Sequence, residues 1–255
     1  MKRLRFVPVG ILLVVGCTVS VASPLGESNF REAMSALESN DLAKAFHCLE
    51  LAIADDPDNV RYASEYRQAI IRSKEFDRSI HYFAKLTADH PNSANLYLNY
   101  GFAYVDKIPV AGSITQVILA NTALGEFSKA VEIRPSWIAF YTRGMSYLFW
   151  PKILNKAPLG VADLEKALAM QRDGPKKAYY VRTYIALGDG FCKMDHMDKA
   201  REIWHKGLDE FPDNPQLKDR LSLHGDQLIT LIENSFDPNR RVDTDLREIW
   251  SDTRD

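Results

Sequence analysis

The chain has 255 residues, is 46% hydrophobic and 26% charged, and carries a formal charge of −2. That is enough apolar material for a sizeable core, which excludes a chain disordered throughout. Basic and acidic residues are interleaved, as in Arg201-Glu202 and Lys218-Asp219-Arg220, so no basic stripe offers itself to nucleic acid.

The first segment is a leader. Lys2, Arg3 and Arg5 precede an apolar run from Phe6 to Val15, broken by Pro8 and Gly10. A run shorter than the about 20 residues that span a bilayer, behind a basic end, reads as an export signal. Two processing routes fit it. Val14-Val15-Gly16-Cys17 resembles a bacterial lipobox, which implies a leader of residues 1–16 and a lipidated Cys17 as the mature N-terminus. Ser20-Val21-Ala22 carries small residues where a soluble-secretion peptidase reads them, which implies a leader of residues 1–22 cut after Ala22. By resemblance to Gram-negative lipoproteins, Thr18 in place of aspartate points to the outer membrane. Both routes take the chain out of the cytosol, to the periplasm or to a lipid anchor, and Cys17 is its one predicted link to a membrane. Mass spectrometry of the mature N-terminus is expected to find acylated Cys17; an unmodified chain starting at Ser23 overturns the anchor.

Beyond the leader, apolar residues recur with a helical period. Phe30, Met34 and Leu37 mark a first helix ending at Ser39; a cap at Asn40 or Asp41 opens a second, with Ala45, Leu49 and Ala52, closed by Pro57. The next pair carries Tyr62, Tyr66, Ile70 and Ile71, then Ile80, Phe83 and Leu86, and closes at Pro91, 34 residues after Pro57. Proline cannot continue a helix, so this spacing punctuates the chain. The third pair opens at Tyr97 with Gly101 and Tyr104, and its second helix carries Ala123, Leu124, Phe127 and Ala130 before Pro135. The fourth opens at Trp137 with Tyr141, Gly144 and Tyr147, continues through Leu164 and Ala167, and ends in the turn Asp173-Gly174-Pro175.

The fifth pair is the most regular. Tyr184, Leu187-Gly188 and Phe191 stand on one helix; Ala200, Trp204, Gly207 and the closing Pro212 mark its partner. This stretch resembles the tetratricopeptide repeat (TPR), an aromatic, Leu-Gly, aromatic, small, large and proline pattern over about 34 residues. Against that pattern the third pair holds about ten extra residues, near 105–122, and the fourth about four, near 149–158. Ser113–Ala120 is apolar and predicts a second helix extended at its start. Leu217, Leu221, Leu228, Ile229 and Ile232 predict one further amphipathic helix, which caps the stack. The resemblance implies an all-α, right-handed α-solenoid of about five helix pairs plus that C-terminal capping helix, spanning residues 26–235. Residues 236–255 form a polar tail that either docks through Leu246, Ile249 and Trp250 or stays loose. Cys48 and Cys192 fall about four repeats apart, too far for a disulfide with Cα atoms within roughly 7 Å, and read as buried small hydrophobes.

No catalytic or cofactor motif is present: no phosphate loop, no G-x-S-x-G, no H-E-x-x-H and no C-x-x-C. Asp55-Asp56-Pro57-Asp58 is better read as an inter-repeat turn than as a cation loop. The sequence therefore predicts a protein that is no enzyme and needs no metal or cofactor. The resemblance implies that the first helices line a concave groove. Its wall would take Arg61, Gln68 and Arg72 from the second pair, Leu98 and Phe102 from the third, Tyr141, Met145 and Phe149 from the fourth, and Arg182 and Asp189 from the fifth. Ser64, Val105 and Asp106 fall at equivalent positions. An apolar, aromatic patch there marks an interaction site unless an insertion or the tail covers it. The predicted function is a non-catalytic protein- or peptide-binding scaffold or adaptor of the bacterial cell envelope. The alternative is an accessory protein of a solute transporter or a small-molecule-binding protein.

Overall fold

A computed structural model describes residues 23–251. The leader, with Cys17 and Ala22, lies outside them, as does the side chain of Trp250. Helices pair in chain order: α1 (Pro24–Glu38) with α2 (Leu42–Asp55), α3 (Val60–Ser73) with α4 (Phe76–Asp89), and α5 (Ala94–Lys107) with α6 (Ser113–Ile133). Then come α7 (Trp137–Leu148) with α8 (Ala157–Arg172) and α9 (Val181–Lys193) with α10 (Met197–Glu210). The described residues contain no strand. The architecture is an all-α solenoid of five helix pairs, as the repeat resemblance implies.

Local chemistry sets the boundaries. Asn59, Ser93, Ser136 and Asn214 each follow a proline within two residues and cap the next helix with a side-chain oxygen. Such caps satisfy backbone N–H groups that the first helical turn leaves without partners. Of the two candidates at α2, Asp41 is the cap, bonding Lys44 N at 3.1 Å, while Asn40 takes the left-handed turn at φ 58°. The Asp55–Asp58 turn spends its carboxylates within the fold: Asp55 accepts from Gly26 N at 2.8 Å, and Asp58 from Asn95 N at 3.0 Å and Arg134 at 2.6 Å. Cys48 and Cys192 are both buried free thiols.

The alternation of small and large residues becomes close packing. Trp204 is fully buried against α9, and a Cβ built on Gly188 would lie 2.1 Å from its Nε1. Only the missing side chain of Gly188 lets the indole in. At Gly144 and Gly160 the backbones of α7 and α8 themselves meet: a Cβ on Gly160 would fall 2.7 Å from the Gly144 carbonyl.

The irregular regions are also definite. α6 has 21 residues against the 14 of α2 and α4, and its added turns leave Ile114, Val117 and Ile118 exposed. The 149–158 stretch holds a short 3-10 turn at Lys152–Leu154. The predicted single capping helix is instead two: α11 (Pro215–Ser222) and α12 (Gly225–Ser235). The break falls at Leu223-His224, which are extended, and at Gly225, with φ +52°. Leu217, Leu228 and Ile232 still bury against the fifth pair, so both pieces act as the cap. After α12 the chain runs without regular structure to a one-turn helix, α13 (Arg247–Ser251).

Candidate functional site: the groove and its occupant

The first helices α3, α5, α7 and α9 form one face of the solenoid, and that face is occupied. The C-terminal segment crosses it, held by side chains of all four helices. Phe236 leaves α12 and packs edge-on against Phe149 at the end of α7, with ring centroids 5.3 Å apart. Lys193 of α9 stands over the same Phe236 ring at 4.8 Å. Farther along, Thr244 and Leu246 are almost completely buried.

A charged network lies beneath Thr244. Arg67 of α3 is fully buried, and its guanidinium donates to Asn99 at 3.0 Å, to Asp106 at 2.9 Å and to the Thr244 carbonyl at 2.8 Å. The Thr244 hydroxyl donates to Asp106 at 2.5 Å. Arg67 also stacks over Phe102, 4.8 Å from the ring centroid. Every polar group of this buried set is therefore matched, the condition under which buried charge is tolerated. Burial still pushes the Asp106 carboxyl above the usual carboxylate range, against the pull of Arg67 and of the Thr244 hydroxyl.

Leu246 is the apolar anchor. Its side chain joins a cluster with Leu98, Phe102 and Phe127, flanked by Val60, Val105 and Ile138. Its backbone N–H donates to Ser64 Oγ at 3.3 Å. At the rim, Arg247 pairs with Glu65 at 3.0 Å, and Arg182 of α9 pairs with Glu248 at 3.0 Å.

The groove residues read from the sequence take varied places. Leu98 and Phe102 lie under Leu246, and Arg182 holds the segment at the rim. Tyr141 stacks flat on Trp137 at 5.0 Å and 7°, and burial pushes its phenol up to about 12. Met145 and Phe149 pack into the C-terminal core. Arg61 lies over Phe30 at 4.2 Å, Gln68 is half-buried and Arg72 is exposed. Asp189 is not open to a ligand: it is buried and bidentate to Arg220 of α11, at 2.6 and 2.7 Å. Burial raises its carboxyl above the usual range despite that pairing. Arg67, Glu65 and Arg220 escaped the sequence reading. For Arg67 there was a signal, a lone charge on an otherwise apolar stripe with Ala63 and Ile70.

Among the described residues, no group of three or more His, Cys, Asp or Glu side chains is placed to hold a metal ion. No described helix is long and apolar enough to cross a membrane. What the arrangement can do chemically is grip a chain segment, through a backbone carbonyl, a backbone amide and an aliphatic pocket.

No family model matches the sequence, and no curated protein matches it. Solved structures do resemble the fold. A thermophilic TPR protein of Thermus thermophilus is 18% identical with a TM-score of 0.54, over 77% of this chain and 97% of that one. The MamA protein is 15% identical with a TM-score of 0.51, over 79% and 97%. A tetratricopeptide repeat protein from Parabacteroides merdae is 15% identical with a TM-score of 0.52, over 84% and 76%. Helix pairing, the aromatic, Leu-Gly and small-residue signature, and these neighbours agree that the chain has the tetratricopeptide-repeat fold.

Proposed function

We propose that the chain is a non-catalytic scaffold of the bacterial cell envelope that holds an extended segment of a protein partner against its first helices. One observation carries this reading: the groove already holds a segment without regular structure, its own, through a main-chain carbonyl at Arg67 and a main-chain amide at Ser64. Contacts to main chain are what an extended ligand offers whatever its sequence, and side-chain pockets such as that of Leu246 add selectivity. The envelope location rests on the basic and apolar leader, with anchoring through Cys17 or release after Ala22.

Site-specific photo-crosslinking in cells tests the groove. A photoreactive residue in place of Gln68 or Arg182 is expected to capture the same discrete protein adduct, and one in place of Lys85, exposed on α4, to capture none. Equal adducts at all three positions, or none at the groove positions, reject the groove as the binding site.

A further inference from the structure

The tail does not bind as a plain hydrophobic cover would. Covering an apolar face needs only apolar side chains, whereas burying Arg67 and Asp106 carries a desolvation cost that full pairing only offsets. Here those two charges meet one residue of the tail, Thr244, and read both its carbonyl and its hydroxyl. The grip is also graded. Its centre is buried, but at the rim the Arg247 and Glu248 side chains are 56% and 59% exposed. The Arg182–Glu248 pair is open to solvent on both sides, and screening by water weakens it, so that end of the segment separates readily. Residues 241–246 have no regular structure, so lifting them breaks no helix beyond the single turn of α13.

We infer that Thr244–Glu248 is a built-in competitor for the groove, and that the partner presents a short segment with the same order of side chains. That order is a hydroxyl, then an aliphatic residue two positions on, then a base, then an acid. The inference rests on the groove reading above and names what the groove selects. The hydroxyl answers Asp106, the aliphatic side chain fills the pocket over Leu98 and Phe102, the base meets Glu65 and the acid meets Arg182. A tethered occupant acts at an effective concentration of about millimolar, so a free segment with the same contacts binds weakly until the tail is loosened.

The test uses the full chain and a fluorescein-labelled synthetic peptide of residues 240–250, read by anisotropy. Against wild type, the double variant Leu246→Asp/Arg247→Glu, altered in the tail and not in the groove walls, is expected to bind the peptide at least about tenfold more tightly. A peptide carrying Leu246→Asp is expected not to bind. If the double variant no longer melts cooperatively, Arg247→Glu alone, which leaves Leu246 seated, is expected to gain in the same direction by a smaller factor. Equal binding by wild type and variants, or no binding by any, makes the tail a fixed strut and overturns the inference. Groove adducts at Gln68 and Arg182 alongside that negative result keep the groove reading while this one falls; loss of both removes both.

Discussion

Arg67→Met is expected to lower the free energy of unfolding by about 3–5 kcal/mol, because it strands a buried carboxylate. Arg67 has no exposed surface, and Asp106, Asn99 and the Thr244 carbonyl all depend on it. Methionine fills the volume but leaves Asp106 with the Thr244 hydroxyl as its hydrogen-bond donor and the more distant charge of Arg241. The loss carries a pH signature. The Asp106 carboxyl already sits above its ordinary value of 3.8 because of burial, and without Arg67 it rises further. A group whose folded pKa exceeds its unfolded one binds protons preferentially in the folded state. Stability relative to wild type is therefore recovered as pH falls through the raised folded value, and lost again as pH rises through it. Urea unfolding followed by circular dichroism at pH 8 and pH 5 reads this directly. A deficit that is the same at both pH values would mean that the lost packing of Arg67 on Phe102, and not the stranded charge, dominates. Arg67→Met also removes the bond to the Thr244 carbonyl, so amide exchange from Thr244 to Arg247 is expected to accelerate.

The second large effect belongs to the fifth pair. Trp204→Ala is expected to destabilise by about 3–5 kcal/mol, through lost burial and the cavity it leaves. Gly188→Ala attacks the same contact from the other side. Its new methyl would fall 2.1 Å from the indole Nε1, so Trp204 must move, at about 1–3 kcal/mol for an overpacked core. The two sites touch, so their effects are not additive. Solenoid repeats contact mainly their neighbours, so the damage is expected to stay in the C-terminal half. The separate core around Phe30, Tyr62, Tyr66 and Phe83 is expected to keep its protection. Hydrogen exchange checks this: equal loss of protection in α1–α4 and α8–α11 for Trp204→Ala would refute the modular picture.

The tail qualifies that modularity. Its path ties the cap, through Phe236, to the second and third pairs, through Thr244 and Leu246. An open stack of repeats thereby acquires a long-range contact between its end and its middle. Loosening the tail is expected to separate the unfolding of the two halves further, as well as to open the groove.

The repeat architecture was legible in the chain itself. Caps after prolines, aromatic and small residues at helical spacing, and a 34-residue interval between Pro57 and Pro91 are all local signals with a fixed period. Each acts within one helix pair, so reading it needs no knowledge of where the rest of the chain goes. The same periodicity predicts one capping helix where there are two, because Leu217 and Leu228 bury against the same core from either side of Gly225, and spacing alone does not show the break. The repeat resemblance implies a groove position for Asp189, and cannot foresee Arg220 arriving 31 residues later to cover it. What occupies the groove was decided by tertiary structure alone. Thr244 and Asp106 are 138 residues apart, and the tail, polar and aperiodic, carries no local pattern that names its acceptor. Its place depends on the match between a buried arginine–aspartate pair, one backbone carbonyl and one leucine pocket, a fit that exists only once the solenoid has formed.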